Sequence, residues 1–182
     1  DSRLQEYEDN LDRHYYKEAI NELKASGLGH SLLLGYLRKE IDHRNIVNLL
    51  RSLRQNLPVE QRMDAMLDGG GVLKGGLLKS AAEADSQDAL VEVLRRSNMD
   101  TADLEEKLEE SKEHGGFDPV VTLLADERRS NMRRMSHLNP LSAFPVIYYI
   151  ESKVIEVQNL RLLVRGKAVG LPEDVIEAHM TF

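Results

Sequence analysis

The order of apolar and polar positions is a succession of helical periods, and alternating β-branched runs of strand type are hard to find. Over 4–23, apolar side chains recur at Leu4, Tyr7, Leu11, Tyr15 and Ala19, with Tyr16, Ile20 and Leu23 widening the stripe, and Gly27 and Gly29 supply a stop. A second run, 31–54, carries Leu, Ile and Val around nearly its whole girth, which predicts a helix wrapped by neighbours. Pro58 then opens a third helix as a first-turn proline. Asp68-Gly69-Gly70-Gly71, followed by Gly75-Gly76, is the clearest break in the middle of the chain. Beyond it, Ser86 and Thr101 stand as N-caps ahead of helices over 87–96 and 102–114, the second ending at Gly115-Gly116. Asp118-Pro119 and Asn139-Pro140 repeat a cap-then-proline signature before two more helices. The pattern predicts an all-α chain of about eight helices joined by short loops.

Composition narrows the function classes. With 182 residues and 41% hydrophobic side chains, the chain can bury a sizeable core. Its charge of −7 comes from 31 acidic and 24 basic residues interspersed along the chain, unlike the concentrated basic stripe of a nucleic-acid grip. Without cysteine there is neither a disulfide nor a thiolate metal site, which fits a reducing compartment. The most apolar stretch, 145–164, is interrupted by Glu151, Lys153, Glu156 and Arg161, so membrane association is expected only through partners. The chain opens on Asp1 rather than methionine, and an upstream part is expected.

Candidate chemistry is scarce. The segment Gly71-Val72-Leu73-Lys74-Gly75-Gly76-Leu77 has no lysine straight after its last glycine and no strand before it, so it reads as an interhelical turn rather than a phosphate loop. His14, His30, His43, His114, His137 and His179 contain no pair three to five residues apart, and no metal set is expected. No glycine-flanked serine elbow or distinct carboxylate pair stands out, so no catalytic residue and no cofactor is expected. The charged runs over 103–112 and at Arg128-Arg129 and Arg133-Arg134 read as solvated faces, with docking as the alternative. Tyr15-Tyr16 and Tyr148-Tyr149 read as core residues with wet hydroxyls.

One internal regularity stands above this background. At an offset of 114 (159 minus 45), Lys39 pairs with Lys153, Ile41 with Ile155, Asn45 with Asn159, Leu49 with Leu163, Arg51 with Arg165, Leu57 with Leu171 and Pro58 with Pro172. Asp42 against Glu156 and Ile46 against Leu160 are conservative matches in the same frame. On a helix, Asp42 and Asn45 share a face, as do Glu156 and Asn159, so a polar spine recurs on two otherwise apolar helices. This reads as a duplicated helical module, the first copy over 1–114 and the second, cut short, over 115–182, with Asn45 and Asn159 at matching, largely buried positions.

The same residues carry a resemblance. Tyr149-Ile150, Lys153, Glu156 and Asn159-Leu160-Arg161, followed by Gly170-Leu171-Pro172-Glu173-Asp174, resemble the ending of the C subunit of archaeal and bacterial rotary ATPases of the V-type and A-type, the counterpart of the eukaryotic V-ATPase d subunit. There a helix of pattern Tyr-Ile/Leu-x-x-Lys-x-x-Glu-x-x-Asn-Leu-Arg precedes Gly-Leu-Pro-Glu-Glu. Upstream, Leu11-Asp12 with Tyr15-Tyr16, the Ile-Asp-x-x-Asn-Ile pattern within 39–51 and Met66-Leu67-Asp68-Gly69-Gly70-Gly71-Val72-Leu73 look like the preceding module of that family. Val154 departs from the pattern, since the family often has a second charged residue after the lysine. The resemblance implies two of three similar helical modules of a funnel-shaped, non-catalytic central-stalk protein on the cytoplasmic side of the membrane. Its partners would be the central shaft and the proteolipid ring, and its role to couple proton or sodium transport to ATP synthesis or hydrolysis. The alternative is a soluble helical-repeat adaptor, which a repeat of about 35 to 45 residues would favour.

Overall fold

A computed structural model describes residues 2–25, 31–97, 99, 101–114 and 116–180. Among them the protein is all-helical: α1 (Ser2–Ala25), α2 (Ser31–Arg54), α3 (Val59–Asp64), α4 (Gly76–Glu83), α5 (Gln87–Arg96), α6 (Ala102–His114), α7 (Asp118–Leu138), α8 (Phe144–Ala168) and α9 (Glu173–Ala178). The chain forms two compact units, Asp1–Arg128 and Arg129–Phe182, with the division inside α7. The expected glycine stop at Gly27 and Gly29, with His30 and Gly115, lies outside the described residues.

α2 is the axle of the first unit, and its all-round apolar pattern is explained by what lies on either side. One side, through Leu37 and Ile41, packs with Tyr16 and Ile20 of α1 and Leu67 of the following loop. The other, through Ile46, Leu50 and Leu53, joins a larger core of Leu78 and Ala81 from α4, Leu90 and Leu94 from α5, Leu104 and Leu108 from α6, and Val120 and Leu124 from α7. Each fully buried leucine or isoleucine contributes about 1.5–3 kcal/mol relative to exposure. This explains how a helix with so many branched residues forms without ideal propensity.

α1 corrects the expected stripe. Tyr16 and Ile20 are buried, while Tyr7, Leu11 and Tyr15 on the neighbouring face are exposed. Among the described side chains of α1, those that join the core are Tyr16 and Ile20 with Ala19 and Leu23 beside them, so burial there follows the line through Tyr16 and Ile20. The Tyr16 hydroxyl, expected to be wet, instead donates to Glu40 at 2.8 Å.

Local signals set several boundaries. Ser86 is extended, and its Oγ accepts from the Ala89 amide at 3.1 Å, with Asp88 in the first turn of α5 and Arg95 and Arg96 in its last. The Asn139-Pro140 expectation fails. Asn139 closes α7, its amide and Nδ2 both donating to the Met135 carbonyl, and α8 begins only at Phe144 with Pro145 in its first turn. The cap went to the helix behind it because the Asn139 carbonyl is occupied by the Ser142 amide in a turn.

Arg62 of α3 binds three carbonyls: Nε donates to Leu57 at 2.7 Å, and one terminal nitrogen to Ala82 at 3.3 Å and Ala84 at 2.5 Å. It thereby ties the α2–α3 turn to the end of α4. Arg62→Ala is expected to cost about 1–2 kcal/mol in urea unfolding, with Arg62→Lys recovering little because an ammonium cannot match the planar fork. Equal midpoints for all three proteins would disprove the clamp.

Candidate functional site

The spine on α2 is a receptor for the chain's own glycine-rich loop. Asp42 is buried, and its Oδ2 accepts from the amides of Gly71 at 3.0 Å and Val72 at 2.9 Å, while Oδ1 accepts from Leu73 at 2.9 Å. One turn later, fully buried Asn45 closes a two-way bond with Leu67: Nδ2 donates to its carbonyl at 2.9 Å and Oδ1 accepts from its amide at 2.8 Å. Asn48 Nδ2 extends the ladder to the Ala65 carbonyl at 3.2 Å. The loop runs so close that a Cβ on Gly70 would stand 2.7 Å from the Leu73 carbonyl and clash with Asp42 Oδ1. The glycine run is therefore the partner of the spine, and a short polar side chain every turn lets backbone lie flat on an apolar helix without unpaired groups.

The rest of the α2 spine faces outward. Lys39 pairs with Glu127 of α7, whose other oxygen is 3.5 Å from His43 Nε2. His43 is buried, and burial holds its ring toward the neutral form against the pull of the Glu127 carboxylate. Arg51 is exposed and lines a cleft with Arg13, Arg44 and Arg128, in which Asp12 and Glu40 offset part of the positive charge: Arg44 lies 2.6 Å from Asp12, and Arg128 lies 3.5 Å from Glu40. Sequence reasoning missed Arg62, Glu127 and Asn48; only the glycine run at 69–71 hinted that something would approach α2 closely.

On α8 the matching residues are placed differently. Lys153 and Glu156 are exposed and pair with each other at 2.6 Å, Lys153 also lying 5.9 Å from the Tyr149 ring. Arg165 is exposed, and Asn159 is half-buried rather than buried, in a groove with Tyr148, Ser152, Ile155 and Met180. Asn159 is less deeply covered than Asn45, since Phe144 and Gly166 are the buried residues of α8 whereas α2 buries a run of residues along most of its length.

The backbone nevertheless repeats in detail at the 114-residue offset. The amides of Gln55, Asn56 and Leu57 donate to Arg51, Leu53 and Ser52, and those of Val169, Gly170 and Leu171 to Arg165, Lys167 and Gly166. Asn56 (φ 52°) and Gly170 (φ 76°) are both left-handed, a conformation asparagine and glycine tolerate best. Pro58 (φ −58°, ψ 152°) and Pro172 (φ −58°, ψ 149°) precede helices of 6 residues each. What differs is the side chain on the turn: Arg62 clamps carbonyls, whereas Ile176, its counterpart, is buried against Gly166, where a Cβ would come within 2.7 Å of Ile176 Cδ1.

No helix among the described residues is long and apolar enough to cross a membrane, and none of their His, Asp and Glu side chains form a group of three or more able to hold a metal. Residues 1–179 match the model of a family described as ATP synthase (C/AC39) subunit. The chain is similar to the C subunit of the A-type ATP synthase of Archaeoglobus fulgidus, 31% identical over 177 residues, covering 97% of this chain and 49% of that protein. It is similar also to those of Thermoplasma acidophilum (30% identical; 92% of this chain, 46% of the relative) and Haloferax volcanii (31%; 95% and 48%). No solved structure matches the chain. It spans about half the length of these relatives. With the family model covering nearly every residue, the chain belongs to the ATP synthase (C/AC39) subunit family.

Proposed function

We propose that the chain is part of a non-catalytic rotor component that couples the central shaft of a rotary ATP synthase to its membrane proteolipid ring, on the cytoplasmic side, so that proton or sodium flow and ATP turnover stay mechanically linked. The match of residues 1–179 to the family model carries this reading. The physical requirement on such a part is stiffness, and the way the spine of α2 fastens its following loop supports it: Asp42 and Asn45 together hold five backbone groups of the segment 67–73. Close-packed helices tied at their connections transmit force with little internal deformation. Partners would be the shaft proteins and the ring, with the membrane met only through them. Within this reading the chain is two copies of one helical module, 1–114 and 115–182, a view supported by the shared turn bonds after α2 and α8.

The test is to tag the polypeptide in its host, solubilise the membranes in mild detergent and identify what co-purifies. Ring and shaft proteins are expected together, in constant proportion to the tagged chain. Recovery of the tagged chain without either would overturn the proposal.

A further inference from the structure

The cleft that α1, α2 and α7 form in the first unit is electropositive on an acidic chain. Arg13, Arg44, Arg51 and Arg128 line it with only two carboxylates, Asp12 and Glu40, an excess of two positive charges where the whole chain carries −7. The carboxylates serve part of the set. Arg44 lies 2.6 Å from Asp12 and 3.7 Å from Glu40, and Arg128 lies 3.5 Å from Glu40. The Arg13 guanidinium donates to the Asn10 side-chain oxygen at 3.4 Å, and that of Arg51 has neither ion pair nor hydrogen bond among the described residues. Both are exposed.

The wall of the same cleft holds buried nitrogens without partners. His43 lines it and is 5% exposed, yet neither of its ring nitrogens makes a hydrogen bond, Nε2 standing 3.5 Å from Glu127. The Nε of Arg128 is also buried and unpaired. Buried polar groups are nearly always satisfied in a folded protein, so two such residues in one wall mark a place where something polar is met. The cleft has a volume of about 440 Å³, room for a small polyatomic anion. No aromatic side chain lines it, so a nucleobase would find nothing to stack on.

We propose that this cleft binds a phosphate group that carries no nucleoside, as orthophosphate or pyrophosphate. Arg13 and Arg51 supply the first contacts, since planar guanidinium forks match phosphate oxygens two at a time. The unpaired nitrogens of Arg128 and His43 turn onto the anion once it is seated, a change of side-chain rotamer with the helices fixed. An orthophosphate dianion cancels the excess of two charges, and its several oxygens use more than one arginine at once. The site goes beyond the rotary role and does not depend on it: co-purification does not read the cleft, and the titration below does not read partners.

Calorimetric titration of the 182-residue chain at fixed ionic strength, with orthophosphate, pyrophosphate, ADP and a glutamate-rich peptide, tests it. One saturable site per chain is expected for orthophosphate or pyrophosphate, the tighter of the two identifying the source. Arg13→Gln and Arg51→Gln should each weaken binding at least about tenfold. Arg165→Gln, at the repeat position of Arg51 but outside the cleft, should leave it unchanged. Because Arg13 and Arg51 are exposed, both variants are expected to keep the wild-type urea midpoint, which separates lost binding from lost folding. The imidazole NMR signals that are absent from His43→Gln should shift along the same titration curve, which a histidine remote from the anion would not do. No saturable binding of either phosphate up to about 10 mM would overturn the proposal. So would binding that survives both arginine changes, or ADP binding more tightly than pyrophosphate, because the nucleoside would then be read. Tighter binding of the peptide would also overturn it, assigning the cleft to an acidic protein segment.

Discussion

Asp42→Ala is expected to destabilise the first unit by about 3–5 kcal/mol, the largest effect of any single substitution on the spine. The carboxylate is buried and accepts three amides from consecutive residues, Gly71, Val72 and Leu73. Truncation leaves these donors facing a small apolar gap, and the glycines that let the loop approach α2 give it no side chain with which to refill the space. Asp42→Asn separates charge from geometry. An amide can present its oxygen either to the pair Gly71 and Val72 or to Leu73, and in either orientation its NH2 meets an N–H, so the cost should fall between zero and that of alanine. Urea unfolding of the three proteins checks this. If Asp42→Ala unfolds at the wild-type midpoint, the loop is not held by the spine.

Asn45→Ala is expected to cost about 2–4 kcal/mol, because one side chain satisfies both the amide and the carbonyl of Leu67 at a fully buried position. Asn159→Ala should cost less, about 1 kcal/mol, since its site is half-open to water that can replace a lost bond. Asn45→Asp adds a pH signature. Its carboxyl would replace Nδ2, which lies 2.9 Å from the Leu67 carbonyl, and only the protonated acid can donate there. Burial and that carbonyl both raise the folded-state pKa above the unfolded value of about 3.9. The folded state then binds more protons, so stability is retained below about pH 4 and falls as pH rises toward the folded pKa. A pH-independent difference from wild type between pH 3 and 7 would mean that the side chain escapes to solvent.

The two asparagines also show how sequence and tertiary structure divide the information in this protein. Periodicity and end signals sufficed for several of the helices: 31–54 was readable from its apolar run, and α5 from Ser86, whose hydroxyl needs only a neighbour three residues on. The matching turns after α2 and α8 were readable too, because their bonds are local, set by a left-handed residue and a proline a few positions apart. The membership in an ATP synthase family lay in the same residues.

Burial lay elsewhere. Asn45 and Asn159 occupy the same register of similar helices, yet one is sealed and the other half-open, since exposure depends on which elements far along the chain arrive to cover a face. For the same reason the stripe of α1 turned out to run through Tyr16 and Ile20. A helical period fixes which residues share a face within a few turns of chain. Which face becomes interior is decided by contacts between segments tens of residues apart, such as Asp42 with Leu73 and Lys39 with Glu127, whose partners only the fold brings together.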